Sequence, residues 1–218
     1  MAAATKIGRP TTLCRGSIRV LVLAVDTTSE LGSIAIADGE RVIEEVVLPR
    51  GDGYDHVLFG EIESLLTRNR LRLADIAGFA SASGPGTFTG VRVGLTAVKG
   101  LAEALSRQVV GVSNLRAMAF FGVSELRAPW TDARRGDIYG ALYNAPLEPV
   151  REEAVMKHDA WLQSLPAGAE VISGRRALAG AIGIIAAREF AAGRGLDPAA
   201  IDANYVRRAD AEMMWKDS

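Results

Sequence analysis

The chain is predicted to be an α/β protein of two lobes, built on a mixed sheet with three antiparallel strands followed by parallel ones. Three observations lead there. Short apolar runs separated by turn residues occupy residues 20–48. From residue 58 to residue 120, segments of helical period then alternate with segments of strand length. Strands joined through helices pair in parallel, whereas strands joined by tight turns pair antiparallel.

The elements follow in order. Val20 to Val25 is an apolar run that ends at Asp26 and predicts a buried first strand. Residues 32–37 and 41–48 flank Asp38-Gly39, a strong local hairpin signal, and predict the second and third strands. Leu58, Ile62, Leu65 and Leu66 share one helical face. Ile76 to Ser83 predicts a fourth strand, and the loop SGPGTFTG follows it. Val91, Leu95, Val98, Leu101, Ala102 and Leu105 then predict a second helix, which Thr87 or Thr89 can cap. Val109 to Val112 predicts a fifth strand, with Ser113 or Asn114 capping a third helix. This order is the ribonuclease-H-like, actin-like (ASKHA) topology, an analogy of fold that carries no activity with it.

The second half is thinner. Trp130 to Tyr143 predicts two strands around Arg135-Gly136, Val171 to Gly174 a short strand, and Ala177 to Ala192 a helix before a polar tail at Asp197-Pro198. The expected division is a disordered extension at 1–19, an N-terminal lobe at 20–122 and a shortened C-terminal lobe with a tail at 123–218. No internal repeat is visible in the sequence.

Composition narrows the function. The 218 residues are 49% hydrophobic and 23% charged, as in ordinary globular proteins. With 25 basic against 26 acidic residues, the net charge of −1 supplies no dominant field for a polyanion. Arg134–Arg135, Arg175–Arg176 and Arg207–Arg208 read as isolated pairs of solvated charge, so any RNA is expected to be gripped largely by a partner. The single cysteine, Cys14, excludes an internal disulfide and a cysteine-rich metal site. The longest apolar run, residues 177–187, is too short to cross a bilayer. Residues 1–19 are basic with no apolar core behind them, which does not fit a signal peptide. A cytoplasmic protein without membrane contact is expected.

The glycine loop admits three readings. A strand, a glycine-rich turn and a helix N-terminus together suit an anion, and Asp26, Gly84, Gly86 and Thr87 are the candidate nucleotide contacts. The spacing is not that of a phosphate fingerprint, however. Gly90 is followed by Val91 and Arg92 rather than Lys-Ser/Thr, and the pattern GxGxxxG follows the fourth strand rather than the first. A structural turn, reversed by Pro85 and Gly86, explains the loop equally well. Gly94, Ala97, Gly100 and Ala104 form a small-residue stripe on the next helix, suited to close approach by another helix or by the chain's own sheet.

Several of these stretches together resemble the bacterial TsaB (YeaZ) family. They are VLAVDTT at residues 22–28, SGPGTFTGVRVGLTAVKGLA from Ser83, VVGVSNLRAMA from Val109, TDARRGDIYGALY at 131–143 and NYVRRADAE at 204–212. The motif residues are Asp26, Thr27, Gly84, Pro85, Gly86, Thr87, Phe88, Thr89, Gly90, Arg92, Asp132, Arg134 and Tyr139. The resemblance implies a subunit of the machinery that places threonylcarbamoyl on the adenosine beside the anticodon in tRNAs reading codons that begin with A. It further implies a non-catalytic paralogue of the enzyme TsaD that binds and organises TsaD together with TsaE. TsaD-like proteins carry two histidines one helical turn apart after the fifth strand, and here Asn114 and Met118 stand in their places. His56 and His158 are the only histidines of the chain and have no cluster of ligands around them. No catalytic residue, metal or cofactor of its own is therefore expected; ATP would be handled by the assembly.

The resemblance implies pairing through helices near 54–68 and 88–105, with Leu58, Ile62, Leu65, Gly94, Ala97, Val98 and Leu101 as candidate partner contacts. A homodimer through the same surface is expected when TsaD is absent, with tRNA reached indirectly. Gly94→Leu is expected to abolish pairing without unfolding the chain. Two other classes stay open on the residues alone. A stand-alone actin- or sugar-kinase-like ATPase or phosphotransferase would use Asp26 and the glycine loop. A metal-dependent hydrolase is disfavoured by the missing histidines.

Overall fold

The computed structural model describes residues 20–49, 53–204 and Val206. The expectations for residues 1–19, Cys14 among them, for Arg207–Arg208 and for the motif beyond Asn204 lie outside the described residues.

The first sheet contains β1 (Leu21–Asp26), β2 (Ser33–Asp38), β3 (Arg41–Val47), β4 (Gly78–Ala82) and β5 (Gln108–Val112), in the order β3-β2-β1-β4-β5. β1 pairs antiparallel with β2 and parallel with β4, so it is the central strand from which both halves of the sheet grow. Its six residues are all buried because both faces are covered. Leu23, Val25, Ile34 and Ile36 face α1 (Leu58–Arg68) and α2 (Phe88–Leu105), while Val22, Ala24 and Ala35 face the opposite core. That opposite core is closed by α3 (Asn114–Ala119) and α5 (Ala179–Ala191).

The second sheet is β8-β7-β6-β9, formed by β6 (Leu126–Arg134), β7 (Asp137–Asn144), β8 (Pro149–Lys157) and β9 (Glu170–Ile172), with α4 (His158–Ser164) between the last two. β6, β7 and β8 form an antiparallel meander, and β9 returns parallel to β6. The lobe thus repeats the strand order of β1 to β4 and lacks an equivalent of β5 among the described residues. The repeat is one of backbone topology.

Two expectations are corrected. β8 was not anticipated, because Arg151, Glu152 and Glu153 interrupt its apolar alternation. α5 does not belong to the second lobe. It packs across β1, β2 and β4 of the first sheet, and Gly183 lets it come so close that a Cβ there would stand 2.9 Å from the Ala37 Cβ. Ser33 Oγ and Glu45 Oε1 accept from the Ala179 and Gly180 N–H groups and so satisfy the first turn of α5. The first lobe is therefore assembled from 20–122 together with the return of the chain through α5 to Ile201, and the expected boundary at 122 divides it. No helix among the described residues is long and apolar enough to cross a membrane.

Candidate functional site

The turn after β1 and the glycine loop interlock. Thr27 Oγ1 donates to the Gly90 carbonyl oxygen at 2.6 Å, and the Thr87 N–H donates to the Thr28 carbonyl oxygen at 2.8 Å. A Cβ on Gly86 would stand 2.5 Å from the Thr28 Cβ, and one on Gly90 would overlap the Thr27 carbonyl. These two glycines are required because one segment of backbone lies directly on another. Thr87 caps α2 by accepting from the Gly90 N–H at 3.2 Å. Gly84, in the left-handed region at φ 104°, precedes Pro85 and donates its N–H to Asn114 Oδ1 at 3.0 Å.

Asp26 sits behind this turn without solvent contact. Its Oδ1 accepts from the Thr28 N–H at 2.9 Å and from Thr28 Oγ1 at 2.6 Å, while Oδ2 has no hydrogen-bond partner. Burial pushes its pKa above the ordinary aspartate value, and the bonds from Thr28 only partly offset that cost. Asn114 Nδ2 donates to Thr28 Oγ1 at 2.6 Å, which ties the start of α3 to the same turn.

This network bears on both chemistries that the fold could host. The N–H groups of Gly84, Thr87 and Gly90 are spent on Asn114, Thr28 and Thr87, so the loop turns these donors inward rather than toward a phosphate. At the two positions where TsaD-like sequences carry histidine, Asn114 has both amide atoms engaged and Met118 offers a thioether. Neither fits a hard divalent ion, and no group of three potential ligating side chains occurs among the described residues.

Between the lobes lies a cleft of about 630 Å³. The glycine loop, Thr28 and Asn114 line it from the first lobe. Asp132, Arg134 and Tyr139 line it from the β6–β7 hairpin, and Arg175 and Arg176 from the segment after β9. The fold thus gathers seven of the thirteen motif residues, between Pro85 and Tyr139, around one cavity, although they are spread over more than fifty positions of sequence. Glu153 on β8 pins the lobes together. It accepts from Ser113 Oγ, from the Tyr143 hydroxyl at 2.8 Å and from Asn204 Nδ2 at 2.7 Å. Burial, followed by the charge of Glu153, pushes the Tyr143 phenol up, so it stays a neutral donor. Sequence reasoning missed Glu153, Tyr143 and Asn204, whose meeting depends wholly on how the lobes dock.

A second concavity, about 720 Å³ and mainly apolar, runs between α1 and α2. Phe59 and Phe88 flank it and are each 55% exposed. Arg92 stacks its guanidinium over Phe88 at 3.7 Å. Thr89, Val93, Thr96 and Gly100 supply the rest of the α2 side. The candidate partner contacts divide here, and most are corrected. Leu58, Ala97 and Leu101 border the groove, but Leu58 and Ala97 are buried in its floor. Ile62, Leu65, Gly94 and Val98 lie beneath it in the core against the sheet. Gly94 is small for its own sheet's sake: a Cβ there would stand 2.7 Å from Thr27 Oγ1 and 3.0 Å from Ser81 Oγ. Gly94→Leu would therefore break the fold, contrary to the expectation above. Helical spacing marks the apolar face, and that face went to the core. The exposed aromatic residues on its edge, Phe59 and Phe88, carry the surface instead.

The comparisons with known proteins agree with this architecture. Residues 53–191 match the family model described as TsaD: tRNA N6-adenosine threonylcarbamoyltransferase. The chain is 35% identical over 150 residues to the tRNA threonylcarbamoyladenosine biosynthesis protein TsaB of Bacillus subtilis (strain 168), covering 66% of this chain and 65% of that one. It is 34% identical over 146 residues to the TsaB of Escherichia coli (strain K12), covering 62% of each. The matches span just under two thirds of those relatives' lengths. Among solved structures, YeaZ from Pseudomonas aeruginosa superposes with a TM-score of 0.70 at 24% identity, over 85% of this chain and 99% of that one. That likeness establishes the actin-like fold.

Proposed function

From a chain that belongs to the TsaD family, with TsaB proteins among its curated relatives, we propose an accessory subunit of tRNA threonylcarbamoyladenosine biosynthesis. In this reading it is non-catalytic and works in the cytoplasm by pairing with a TsaD-type enzyme and, through that pairing, with a TsaE-type ATPase. The observation that carries the reading is the apolar groove between α1 and α2, with Phe59 and Phe88 held out in solvent on either side. Monomeric proteins seldom present such a patch without a partner for it, and exposed aromatic side chains beside a pocket are the usual anchors of an interface. The inward-turned loop donors and the loss of both histidine positions support an organising role over a chemical one. ATP is handled by the assembly, and a second copy of the chain occupies the groove when the enzyme is absent.

Reconstitution tests this. The enzyme, the ATPase and threonylcarbamoyl-AMP are combined with tRNA, with and without this chain, and modified adenosine is scored. Modification that depends on the chain, and that Phe59→Asp with Phe88→Asp abolishes, is the expected result. Modification indifferent to the chain, or ATP turnover by the chain alone, overturns the reading and favours the phosphotransferase class.

A further inference from the structure

The fold brings together two arginine pairs that look isolated in the sequence. Arg134 and Arg135 form the tip of the β6–β7 hairpin, both with left-handed backbone at φ 66° and 56°. Arg175 and Arg176 follow β9 on the way into α5. Arg134, Arg175 and Arg176 line the inter-lobe cleft, Arg135 adjoins it, and all four are exposed.

Arg134, Arg175 and Arg176 outnumber the two carboxylates that line the same cleft, Glu30 and Asp132, so the rim keeps a net positive charge. Arg175 pairs with Glu30 at 2.8 Å, but the two side chains are 73% and 64% exposed, so the pair is weak and yields to a competing anion. Arg176 lies over the Phe121 ring at 4.5 Å, which orients the guanidinium plane without neutralising it. Asp132 accepts from the Arg134 backbone N–H at 2.8 Å and thereby shapes the hairpin tip. Tyr139, partly buried against the core, borders the same cleft and is an aromatic residue of the kind on which an unpaired base stacks.

A single bound phosphate suits this arrangement less well, because three N–H donors of the nearby loop, those of Gly84, Thr87 and Gly90, are already engaged within the fold. Exposed guanidiniums spread along a rim, with an aromatic residue beside them, match phosphates that recur along a flexible strand. We infer that the rim formed by Arg134, Arg175 and Arg176 binds the sugar–phosphate backbone of the substrate RNA directly. The inference rests on the tRNA-modification reading above and replaces the expectation of an indirect role with a direct one.

The test titrates an in vitro transcribed tRNA, by fluorescence anisotropy at several salt concentrations, with the full chain alone and with the chain assembled on its TsaD-type enzyme. The Arg134→Gln, Arg175→Gln, Arg176→Gln triple variant is expected to lower affinity about tenfold or more and to reduce the slope of log affinity against log salt by about 2 to 3. Arg107→Gln, on the far side of the fold, is the control and is expected to change neither. Unchanged affinity and slope in the triple variant, with co-elution of the enzyme intact, overturn the inference and leave the subunit role standing. Displacement of tRNA by equimolar ATP or pyrophosphate also overturns it, since the cleft would then prefer a free phosphate compound. If the wild-type chain fails to co-elute with the enzyme, the subunit role falls, and the titration of the chain alone still decides whether these arginines hold RNA.

Discussion

Thr27 and Gly90, 63 positions apart, are locked face to face: the Thr27 hydroxyl donates to the Gly90 carbonyl oxygen at 2.6 Å, and a Cβ on Gly90 would overlap the Thr27 carbonyl. Backbone on both sides of this contact leaves nothing flexible to give way. Gly90→Ala is therefore expected to destabilise the fold by at least about 2 kcal/mol in urea denaturation. Gly100, exposed on the same helix with nothing within 4 Å of a Cβ, provides the opposite case. Gly100→Ala is expected to stabilise by about 0.5–1 kcal/mol, because only the backbone entropy of the unfolded chain changes. Equal effects at the two sites would contradict the packing described.

The two sides of α1 should separate stability from association. Leu65 is fully buried against the sheet, and Leu65→Ala is expected to cost about 2–5 kcal/mol of stability. Phe59 stands on the groove edge, and Phe59→Ala is expected to leave the unfolding midpoint within about 0.5 kcal/mol of wild type. The same substitution should weaken pairing with the enzyme by more than about tenfold, which corresponds to about 1.4 kcal/mol. Calorimetry for pairing and denaturation for folding, run on both variants, check the division.

Asp26 makes stability depend on pH in a defined direction. Burial raises its pKa in the folded state, so the folded protein keeps this proton to higher pH than the unfolded chain. Below the ordinary aspartate value of about 3.9 both states are protonated and the group costs nothing. As pH rises through the folded-state pKa, the carboxylate must ionise without solvent, and stability is lost. Asp26→Asn retains the acceptor for Thr28 and removes the charge. Its melting temperature is expected to exceed wild type at pH 7 and to converge on it toward pH 4. A gap that stays constant across this range would contradict the assignment.

Glu153 should govern the seam between the lobes. Glu153→Ala strands the Tyr143 hydroxyl and the Asn204 amide, and about 1–3 kcal/mol of stability is expected to be lost. Amide exchange should quicken at the start of α3 and around Asn204, while amides in β1 and β4 keep their protection. Uniform acceleration throughout the chain would instead point to global unfolding.

Much of the first lobe was legible because its signals are local. The run from Val20 to Val25, the Asp38-Gly39 turn and the helical repeat of Leu58, Ile62, Leu65 and Leu66 each define an element within a few residues, through turn geometry and the period of burial. Thr87 as the cap of α2 and Ser113 as the cap of α3 were legible for the same reason. β8 was hidden because charge interrupts its alternation. The assignment of α5 failed because nothing in residues 177–191 says which sheet they will cover; a helix apolar over its first nine residues packs wherever a face lies bare.

The sequence by itself determined the element order from β1 to α3 and the family motif, because both reside in contiguous residues. Tertiary structure alone decided which side of each helix is surface. The helical period identifies an apolar stripe, but whether that stripe meets the chain's own sheet or another protein depends on elements far away in sequence. Hence Leu65 and Gly94 went to the core and Phe59 and Phe88 to the groove. The same holds for Arg134 and Arg176, ordinary surface charges along the chain, which form one rim only because two lobes of like topology close around a shared cleft.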